Sequence, residues 1–327
     1  MRILIVKTSS MGDVVHAAPL ASDLHAQVPD AVIDWVVEES FAAIPALHPA
    51  VAAVIPIALR RWRKTALQPA TWREIRAVRE RLRAAEYDQV IDCQGLLKSA
   101  WVSRWARGSR TVASGPDRNS AREPLAAWFY DKPVAVARTL HAIERNRRIG
   151  AAALGYAIQG APRFGLQAPP LAIPEIAPLF GSAPVAVLLT NASRATKLWP
   201  DEHWRKVQHA LQARGLATLL FWGSDAEETD TRRRAAQMQG ATVAPRCTLH
   251  QVAAALSSAR AVVGLDTGLT HLAAALGAPT VGIFCDYDPK LVGITGDARC
   301  ESLGGAQGGP TPDKVMAAIG RVLDEPR

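Results

Sequence analysis

The sequence predicts an α/β protein with two similar-sized domains, each a parallel sheet covered by helices. Short β-rich runs alternate with amphipathic helical patterns along the whole chain, as strand–helix–strand units do. A segment rich in proline interrupts this alternation once, and 327 residues are more than one hydrophobic core usually organises. We therefore expect a first domain over residues 1–165, a linker over 166–183 and a second domain over 184–327.

In the first half, the predicted strands are RILIVK, VIDWVVEE, VAAVIPI, QVIDCQ and RTVASG. The stretch TWREIRAVRERLRAAEY, between the third and the fourth of these, is a predicted amphipathic helix. In the second half the predicted strands are VAVLLTNAS, TLLFWGS, ATVAPRC, AVVGLDT and TVGIFCD. A helix is predicted over PDEHWRKVQHALQARG, with Pro200 at its first position and Gly215 just beyond its end. Ligands of such sheets bind at the carboxyl ends of the strands, and the cleft between two facing domains is the natural site.

The composition is that of a globular protein, with 49% hydrophobic and 21% charged residues. We expect no transmembrane helix, because no apolar run approaches about 20 residues. The opening MRILIVKTSS is typical of a short strand containing a lysine and not of a secretory signal. Four cysteines lie far apart without a C-x-x-C pair, which favours reduced thiols in a cytosolic protein.

The net charge of +8 suggests an anionic partner, which is a nucleic acid, an anionic membrane or an acidic substrate. RRWRK, from Arg60 to Lys64, is the densest basic cluster, and RTLHAIERNRR is a second. Neither is interleaved with the aromatic residues on which single-strand binders stack bases.

Three loops that follow strands of the second half carry candidate binding residues. In VVGLDTGLTHLAAAL a strand ends at Asp266, Thr267 and Gly268 form a turn, and His271 lies one turn into a helix. The free N–H groups of such a helix start favour an anion, although a tight turn capped by Asp266 explains the pattern equally well.

The second loop, TNASRATKLWP, offers the Ser193 hydroxyl and the Lys197 cation to a departing diphosphate, and the third, FWGSDAEE, offers Glu227 to a ribose diol. A solvated loop and an acidic helix start are the alternatives for these two. Because all three loops follow strands, they are expected at one edge of one sheet, where they would bind a nucleotide diphosphate derivative.

The stretch KTSSMGDVVHAAPL follows the first strand, but it has one glycine and places Asp13 where a phosphate would normally rest. Its position alone favours an N-cap for a helix that begins at Val14. DYD, from Asp286 to Asp288, has a spacing that holds divalent cations in some transferases, but it precedes a proline in a loop and no metal is expected there. GLLKS lacks the P-loop spacing.

Several long motifs along nearly the whole chain resemble one family: MRILIVKTSSMGDVVHAAPL, DWVVEE, IPIALRRWRK, VIDCQGLLKSA, AREPLA, KLWPDEHW and DTGLTHLAAAL. They resemble the lipopolysaccharide heptosyltransferases, in particular those of type I. The resemblance implies the GT-B fold, with two Rossmann-like domains and the active site in the cleft. It also implies inverting transfer of L-glycero-D-manno-heptose from ADP-heptose to the Kdo of Kdo2-lipid A, without a metal or another cofactor. Heptosyltransferase II or another GT-B transferase is the nearest alternative, and a basic nucleic-acid-binding protein is a remote one.

The resemblance also implies roles for particular residues, with Asp13 as the general base. The implied donor-binding residues are Ser193, Lys197, Glu227, Asp266, Thr267, Gly268 and His271. The implied acceptor-binding residues are Ser10, Gly12, Arg60, Arg61, Arg63, Lys64 and Arg122. Cys247 stands where family members carry a methionine near the adenine, and Trp62 either anchors at a membrane interface or packs inward. The expected location is the cytoplasm, peripheral on the inner membrane's cytoplasmic leaflet, with no nucleic-acid partner.

Overall fold

Parallel sheets organise both halves of the chain. The computed structural model describes residues 1–324. It divides into two compact units, Met1–Leu166 and Gln167–Arg327, and each unit contains one six-stranded sheet. Every pairing between neighbouring strands in both sheets is parallel. The predicted α/β class with two parallel sheets is confirmed.

The sheet of the first unit has the strand order β3-β2-β1-β4-β5-β6. Its strands are β1 (Arg2–Val6), β2 (Val32–Glu38), β3 (Val51–Ile57), β4 (Gln89–Asp92), β5 (Val112–Pro116) and β6 (Lys132–Val134). The direction of winding reverses between β1 and β4, so the loops after these two strands start side by side. In doubly wound sheets this reversal point is where ligands bind.

Helices cover this sheet on both faces, as parallel strands require. They are α1 (Met11–Val15), α2 (Ala18–Gln27), α3 (Ala43–Ala46), α4 (Leu59–Lys64), α5 (Pro69–Ala84), α6 (Leu97–Trp105) and α7 (Ala142–Leu154). A single-turn 3₁₀ helix spans Glu39–Phe41 and a longer one spans Pro124–Phe129. Helix α7 packs on α2, where Arg147 holds the Asp23 carboxylate through two hydrogen bonds of 2.8 and 3.0 Å.

The sheet of the second unit has the order β12-β11-β10-β7-β8-β9, which is the same topology with its first strand again central. Its strands are β7 (Val185–Leu189), β8 (Ala217–Leu220), β9 (Ala241–Val243), β10 (Ala261–Leu265), β11 (Thr280–Phe284) and β12 (Cys300–Gly304). The reversal point lies between β7 and β10. The helices are α8 (Ala177–Ser182), α9 (Asp201–Ala213), α10 (Asp225–Ala235), α11 (Leu249–Ser258), α12 (Gly268–Ala275) and α13 (Pro312–Asp324).

Gly264 in β10 allows α12 to pack closely on the sheet. A Cβ atom at this position would lie 2.3 Å from the Thr270 hydroxyl and 3.0 Å from the Leu189 Cβ. The Thr270 hydroxyl instead donates to the Leu265 carbonyl at 2.5 Å, which ties the first turn of α12 to the end of β10. The helix start is thereby fixed at the reversal point of this sheet.

All ten strands expected from the sequence are present, but the prediction missed two, β6 and β12, which are the edge strands of one end of each sheet. The segment expected as a linker contains the short helix α8. Helix α9 begins at Asp201, so Pro200 is its N-cap residue and not its first helical residue as predicted. Gly215 follows the helix with a φ of +77°. In the part of the chain that the structure describes, no helix has both the length and the apolar character needed to cross a membrane.

Candidate active site

The loop that leads from β1 into α1 is fixed by the loop after β4. The Lys7 ammonium donates to the Cys93 carbonyl at 2.9 Å. The Gln94 side-chain oxygen accepts from the Thr8 backbone N–H and from the Thr8 hydroxyl, both at 2.7 Å, while its NH₂ group donates to the Ser9 carbonyl at 2.8 Å. These bonds join the two strands on either side of the reversal point, so the residues that enter α1 have a defined geometry.

Asp13 lies in the first turn of α1 and faces back toward Ser10. Its carboxylate accepts from the Ser10 backbone N–H and from the Ser10 hydroxyl, both at 2.9 Å. Helix α1 begins at Met11 with Ser10 at the N-cap, so the expectation of an N-cap at Asp13 before a helix starting at Val14 is wrong. The reason is that Ser10 has the extended backbone of an N-cap residue, and Asp13 completes the reciprocal half of a capping box.

The surroundings of Asp13 favour its ionised form. Burial opposes ionisation, but the Lys7 charge, the two hydrogen bonds from Ser10 and the Arg122 charge outweigh it, and the pKa of Asp13 lies below its usual range. Asp13 is therefore a carboxylate at neutral pH. Such a group can accept a proton from a hydroxyl that is attacking another atom, because the hydroxyl becomes acidic as its new bond forms.

Lys98 is a cation of this site that the sequence analysis did not single out. Its ammonium donates to the Ser9 hydroxyl at 3.0 Å. Burial lowers its pKa, Arg60 and Arg122 lower it further, and Glu38 and Glu123 act in the opposite direction. Lys98 therefore lies close enough to Arg60 and to Arg122 for their charges to act on it, and the Arg122 charge acts on Asp13 as well. The sequence feature that could have identified Lys98 is its position in the first turn of α6, the helix that follows β4 at the reversal point.

Helix α4 carries the basic cluster Arg60, Arg61, Arg63 and Lys64, all exposed, but these residues differ in their partners. Arg61 is bound to two carboxylates, Glu39 at 3.0 Å and Glu74 at 2.9 Å. Arg60 lies with its guanidinium 5.6 Å from the centre of the Phe41 ring. The charge of Arg61 is therefore neutralised by carboxylates of the first unit.

Trp62 packs inward. Its side chain is 5% exposed, and its indole N–H donates to Glu74 at 2.8 Å. Glu74 thus orders both Trp62 and Arg61. Gly12 lies in α1, between Met11 and Asp13.

In the second unit, the structure brings three predicted donor-site residues into contact at the reversal point. The Lys197 ammonium donates to the Asp266 carbonyl at 3.0 Å and also to the Asp266 carboxylate. The other carboxylate oxygen of Asp266 lies 3.4 Å from Nε2 of His271. Burial opposes ionisation of Asp266, but His271 and Lys197 outweigh it and hold its pKa below the usual range.

The start of α12 is half-buried at Asp266, Thr267 and Gly268. Thr267 occupies the N-cap and Gly268 is the first helical residue, so Asp266 is not the cap that one alternative assumed. The backbone N–H groups of this first turn point toward the carboxyl edge of the sheet, where the helix dipole favours an anion.

Ser193 and Glu227 lie at the same sheet edge but, within residues 1–324, neither is hydrogen-bonded to Lys197 or Asp266. Ser193 is exposed in the loop after β7. Glu227 is in the first turn of α10, and one of its oxygens accepts from the Gly223 backbone N–H at 2.8 Å. The Asn191 amide joins these loops, because it donates to the Phe221 carbonyl at 3.2 Å and to the Thr231 hydroxyl at 2.9 Å.

Trp222, which the sequence analysis did not single out, lies beside the loop that contains Cys247. Its indole N–H donates to the Ala244 carbonyl at 2.8 Å, and the Arg246 guanidinium lies 5.8 Å from its ring centre. The Cys247 thiol donates to the Pro245 carbonyl at 3.3 Å, and burial raises its pKa. This thiol is therefore protonated, and it is small and apolar.

The two acids of the DYD triplet are bound by their own neighbours. Asp286 accepts from Thr196 at 2.6 Å and pairs with Arg194 at 3.3 Å, and Asp288 accepts from the Lys290 backbone at 3.0 Å. Among the residues that the structure describes, no group of three or more His, Cys, Asp or Glu side chains is arranged to hold a metal ion.

Two parallel sheets of this strand order, each with charged side chains at its reversal point, place the chain among the doubly wound α/β proteins, whose ligands bind at that point. Residues 75–316 match the family model described as glycosyltransferase family 9 (heptosyltransferase). The chain belongs to this family.

Relatives and solved structures agree with that assignment. The chain is 46% identical to lipopolysaccharide heptosyltransferase 1 of Pseudomonas aeruginosa over 91% of this chain and 82% of the relative. It is 43% identical to the enzyme of the same name from Escherichia coli K12 over 90% of each chain. A solved structure of the E. coli heptosyltransferase WaaC with ADP superposes with a TM-score of 0.88 at 39% identity, covering 98% of this chain and 99% of that one. The fold is therefore of the GT-B type.

Proposed function

We propose that the chain transfers L-glycero-D-manno-heptose from ADP-heptose to a Kdo residue of Kdo2-lipid A, inverting the anomeric centre without a metal ion. The observation that carries the proposal is the ionised Asp13 carboxylate at the reversal point of the first sheet, with Lys7 and Arg122 near it. The two heptosyltransferase 1 relatives and the ADP complex of WaaC support the choice of donor and product.

Asp13 acts as the general base. The acceptor hydroxyl oxygen attacks the anomeric carbon, the bond between that carbon and the phosphate oxygen breaks, and its electron pair leaves with ADP. The hydroxyl proton passes to Asp13 as the new C–O bond forms, because a carboxylate is far too weak a base to remove it beforehand. General-base assistance of this kind is typically worth about 10²- to 10⁴-fold in rate.

The second unit binds the donor. Lys197 and the first turn of α12 face the diphosphate, whose negative charge grows as the glycosidic bond breaks. Lys197 now contacts Asp266, so the incoming diphosphate shares this ammonium with the carboxylate. Ser193 adds a hydroxyl donor, His271 a ring N–H, and Glu227 accepts from the ribose diol.

The first unit binds the acceptor through cations that suit its carboxylates and phosphates. Arg60, Arg63, Lys64 and Arg122 are exposed around Asp13 and α4, and arginine binds such oxygens through two parallel hydrogen bonds. Ser10 and Gly12, at the start of α1, bind the acceptor next to Asp13. The acceptor is a lipid of the inner membrane's cytoplasmic leaflet, so the enzyme is cytoplasmic and peripheral to that membrane.

The test is turnover of a water-soluble, deacylated Kdo2-lipid A with ADP-heptose and with other nucleotide sugars. We expect ADP-heptose to be strongly preferred, the product anomer to be inverted, and EDTA to leave the rate unchanged. A rate lost in EDTA and restored by Mg²⁺ would refute the metal-free mechanism. Turnover only with a different acceptor would point to heptosyltransferase II or another transferase of this fold.

A further inference from the structure

A groove between α5 and α6 concentrates positive charge away from the residues assigned above. It has a volume of about 410 Å³ and is lined by Arg79 and Arg83 of α5, by Trp101, Arg104 and Trp105 of α6, and by Arg107. Arg79 and Arg83 are four residues apart, as are Trp101 and Trp105, so each helix presents one face to the groove.

Most of this charge is not neutralised by the protein. Arg107 pairs with Asp131, and the carboxylate of Glu80 on α5 is bound by Arg76 at 2.8 Å. Within residues 1–324, Arg79, Arg83 and Arg104 have no carboxylate at ion-pair distance, and all three are exposed. Three guanidinium groups therefore face solvent in one groove, which suits a partner bearing several negative charges.

An apolar surface adjoins the groove. Trp101 is 56% exposed and stacks edge-on against Phe129, with ring centres 6.3 Å apart. Helix α6 packs on the 3₁₀ helix Pro124–Phe129, in which Trp128 is 75% exposed. Leu97 of α6 and Leu125 of the 3₁₀ helix are exposed as well, at 40% and 47%. Two tryptophans and two leucines thus protrude beside three unpaired arginines.

We infer that this surface, formed by the arginine groove and by Leu97, Trp101, Leu125 and Trp128, docks on an anionic lipid bilayer. Arginine binds lipid phosphates through paired hydrogen bonds, and tryptophan rings are enriched at membrane–water interfaces. The leucines favour a bilayer over a single-stranded nucleic acid, which aromatic stacking and basic side chains alone would suit. The inference rests on the proposed function only in that the acceptor is a membrane lipid.

Docking is tested with vesicles rich in phosphatidylglycerol, using phosphatidylcholine vesicles as the neutral reference. Each arginine near an anionic surface contributes roughly a fivefold change in affinity, so the triple variant Arg79→Gln, Arg83→Gln, Arg104→Gln should bind roughly 100-fold more weakly. A matched control, Arg205→Gln, Lys206→Gln, Lys314→Gln, removes the same charge from exposed positions of the second unit and should bind nearly as wild type.

The apolar half is tested with Trp128→Ser, whose side chain is mostly exposed and whose replacement should leave folding intact. We expect weaker vesicle binding and a smaller blue shift of tryptophan emission on adding vesicles. Circular dichroism of each variant checks the fold. We call the variant Arg79→Gln, Arg83→Gln, Arg104→Gln the groove triple. It should keep wild-type turnover of the soluble, deacylated acceptor and wild-type binding of ADP.

Several results would overturn the inference. One is that the wild type and the groove triple bind vesicles equally well. Another is that the control variant Arg205→Gln, Lys206→Gln, Lys314→Gln loses as much vesicle affinity as the groove triple does. A third is loss of soluble-acceptor turnover in the groove triple, which would assign these arginines to the acceptor's head group. Tighter binding of a single-stranded oligonucleotide than of the anionic vesicles, lost in the groove triple, would assign the groove to nucleic acid. A failure of the wild type to bind vesicles, with normal heptosyl transfer, would overturn the inference and leave the proposed transferase activity intact.

Discussion

Lys197 and Asp266 follow neighbouring strands, and the Lys197 ammonium donates to both the carbonyl, at 3.0 Å, and the carboxylate of Asp266. The contact fixes the position of a long, flexible side chain before any ligand arrives. It also places the ammonium at the N-terminal end of α12, where the leaving diphosphate would gain charge. A positioned cation loses less side-chain freedom on binding an anion than an unrestrained one does.

For Lys197→Ala we expect kcat to fall by about 10²-fold or more, because the lost donor acts on charge that develops in the transition state. The donor KM should rise less than kcat falls. Steady-state kinetics with ADP-heptose measures both. If only KM changes, Lys197 binds substrate and transition state equally well.

For Glu227→Ala we expect the donor KM to rise by roughly tenfold with kcat nearly unchanged, through lost hydrogen bonds to the ribose. Glu228→Ala is the matched control, because the Glu228 carboxylate is one residue away on α10 and is bound by Arg232 at 2.8 Å. An equal effect in the two variants would mean that the α10 acids act on the helix and not on the donor.

For Asp13→Asn we expect kcat to fall by about 10²- to 10⁴-fold while ADP affinity stays the same. Asparagine keeps an oxygen that accepts from the Ser10 backbone, so the start of α1 should be preserved. Isothermal titration with ADP supplies the control. A parallel loss of ADP affinity and kcat would make Asp13 a structural residue.

The pKa of Asp13 lies below its usual range because Lys7, Ser10 and Arg122 outweigh its burial. If Asp13 is the base, as proposed, it acts in its ionised form, so kcat should fall only as the pH drops below the usual range of an aspartate. Removing the Arg122 charge in Arg122→Gln should raise this pKa and move the acid limb of the kcat profile to higher pH. An unmoved acid limb would show that the Arg122 charge does not act on the base.

The basic residues of α4 should affect acceptor binding differently, according to whether the protein already pairs them. Arg60→Gln with Arg63→Gln should raise the acceptor KM by roughly tenfold or more and leave ADP-heptose binding alone, since a single hydrogen bond to a charged group is worth about 1.5–3 kcal/mol. Arg61→Gln is the internal control, because its guanidinium already holds Glu39 and Glu74. Equal KM effects from Arg61→Gln would mean that the acceptor displaces these carboxylates.

His48 should make stability fall at mildly acidic pH. Burial lowers its pKa to about 4, and its ring bonds the Ser22 hydroxyl at 2.9 Å. Between about pH 4 and the unfolded value near 6.5, the unfolded chain binds a proton that the folded chain does not, so stability decreases as pH falls. We expect a loss of about 2 kcal/mol between about pH 7.5 and about pH 5, measured by urea unfolding. His48→Gln should be less stable at the higher pH but should lack this loss; parallel curves would contradict it.

The central strands were predictable from the sequence because both faces of a parallel strand are covered, which gives short runs rich in valine, isoleucine and leucine. The edge strands β6 and β12 lack this signal. Lys132 and Pro133 of β6 are exposed, and β12 is only partly buried along its length. Their pairing depends on the neighbouring strand and not on their own composition.

The candidate site was predictable at the level of loops but not of contacts. Lys7 was visible as a lysine within the first strand, yet its partner, the Cys93 carbonyl, lies 86 residues further along the chain. The inward orientation of Trp62 depends on Glu74, which belongs to the next helix. Such long-range partners are set by the packing of elements, which local sequence patterns do not encode. The start of α1 at Met11 was a local feature, and the Ser10–Asp13 spacing of a capping box carried it.

Every strand pairing lies within one unit, so a break in the chain between Leu166 and Gln167 would divide no sheet. All of β1 to β6 precede all of β7 to β12 in the chain. The ribosome therefore synthesises every strand of the first sheet before any strand of the second. Domains generally fold as units during synthesis, the N-terminal one first. The unit that carries Asp13 can thus acquire its geometry while the unit that carries Lys197 and Asp266 is still being translated.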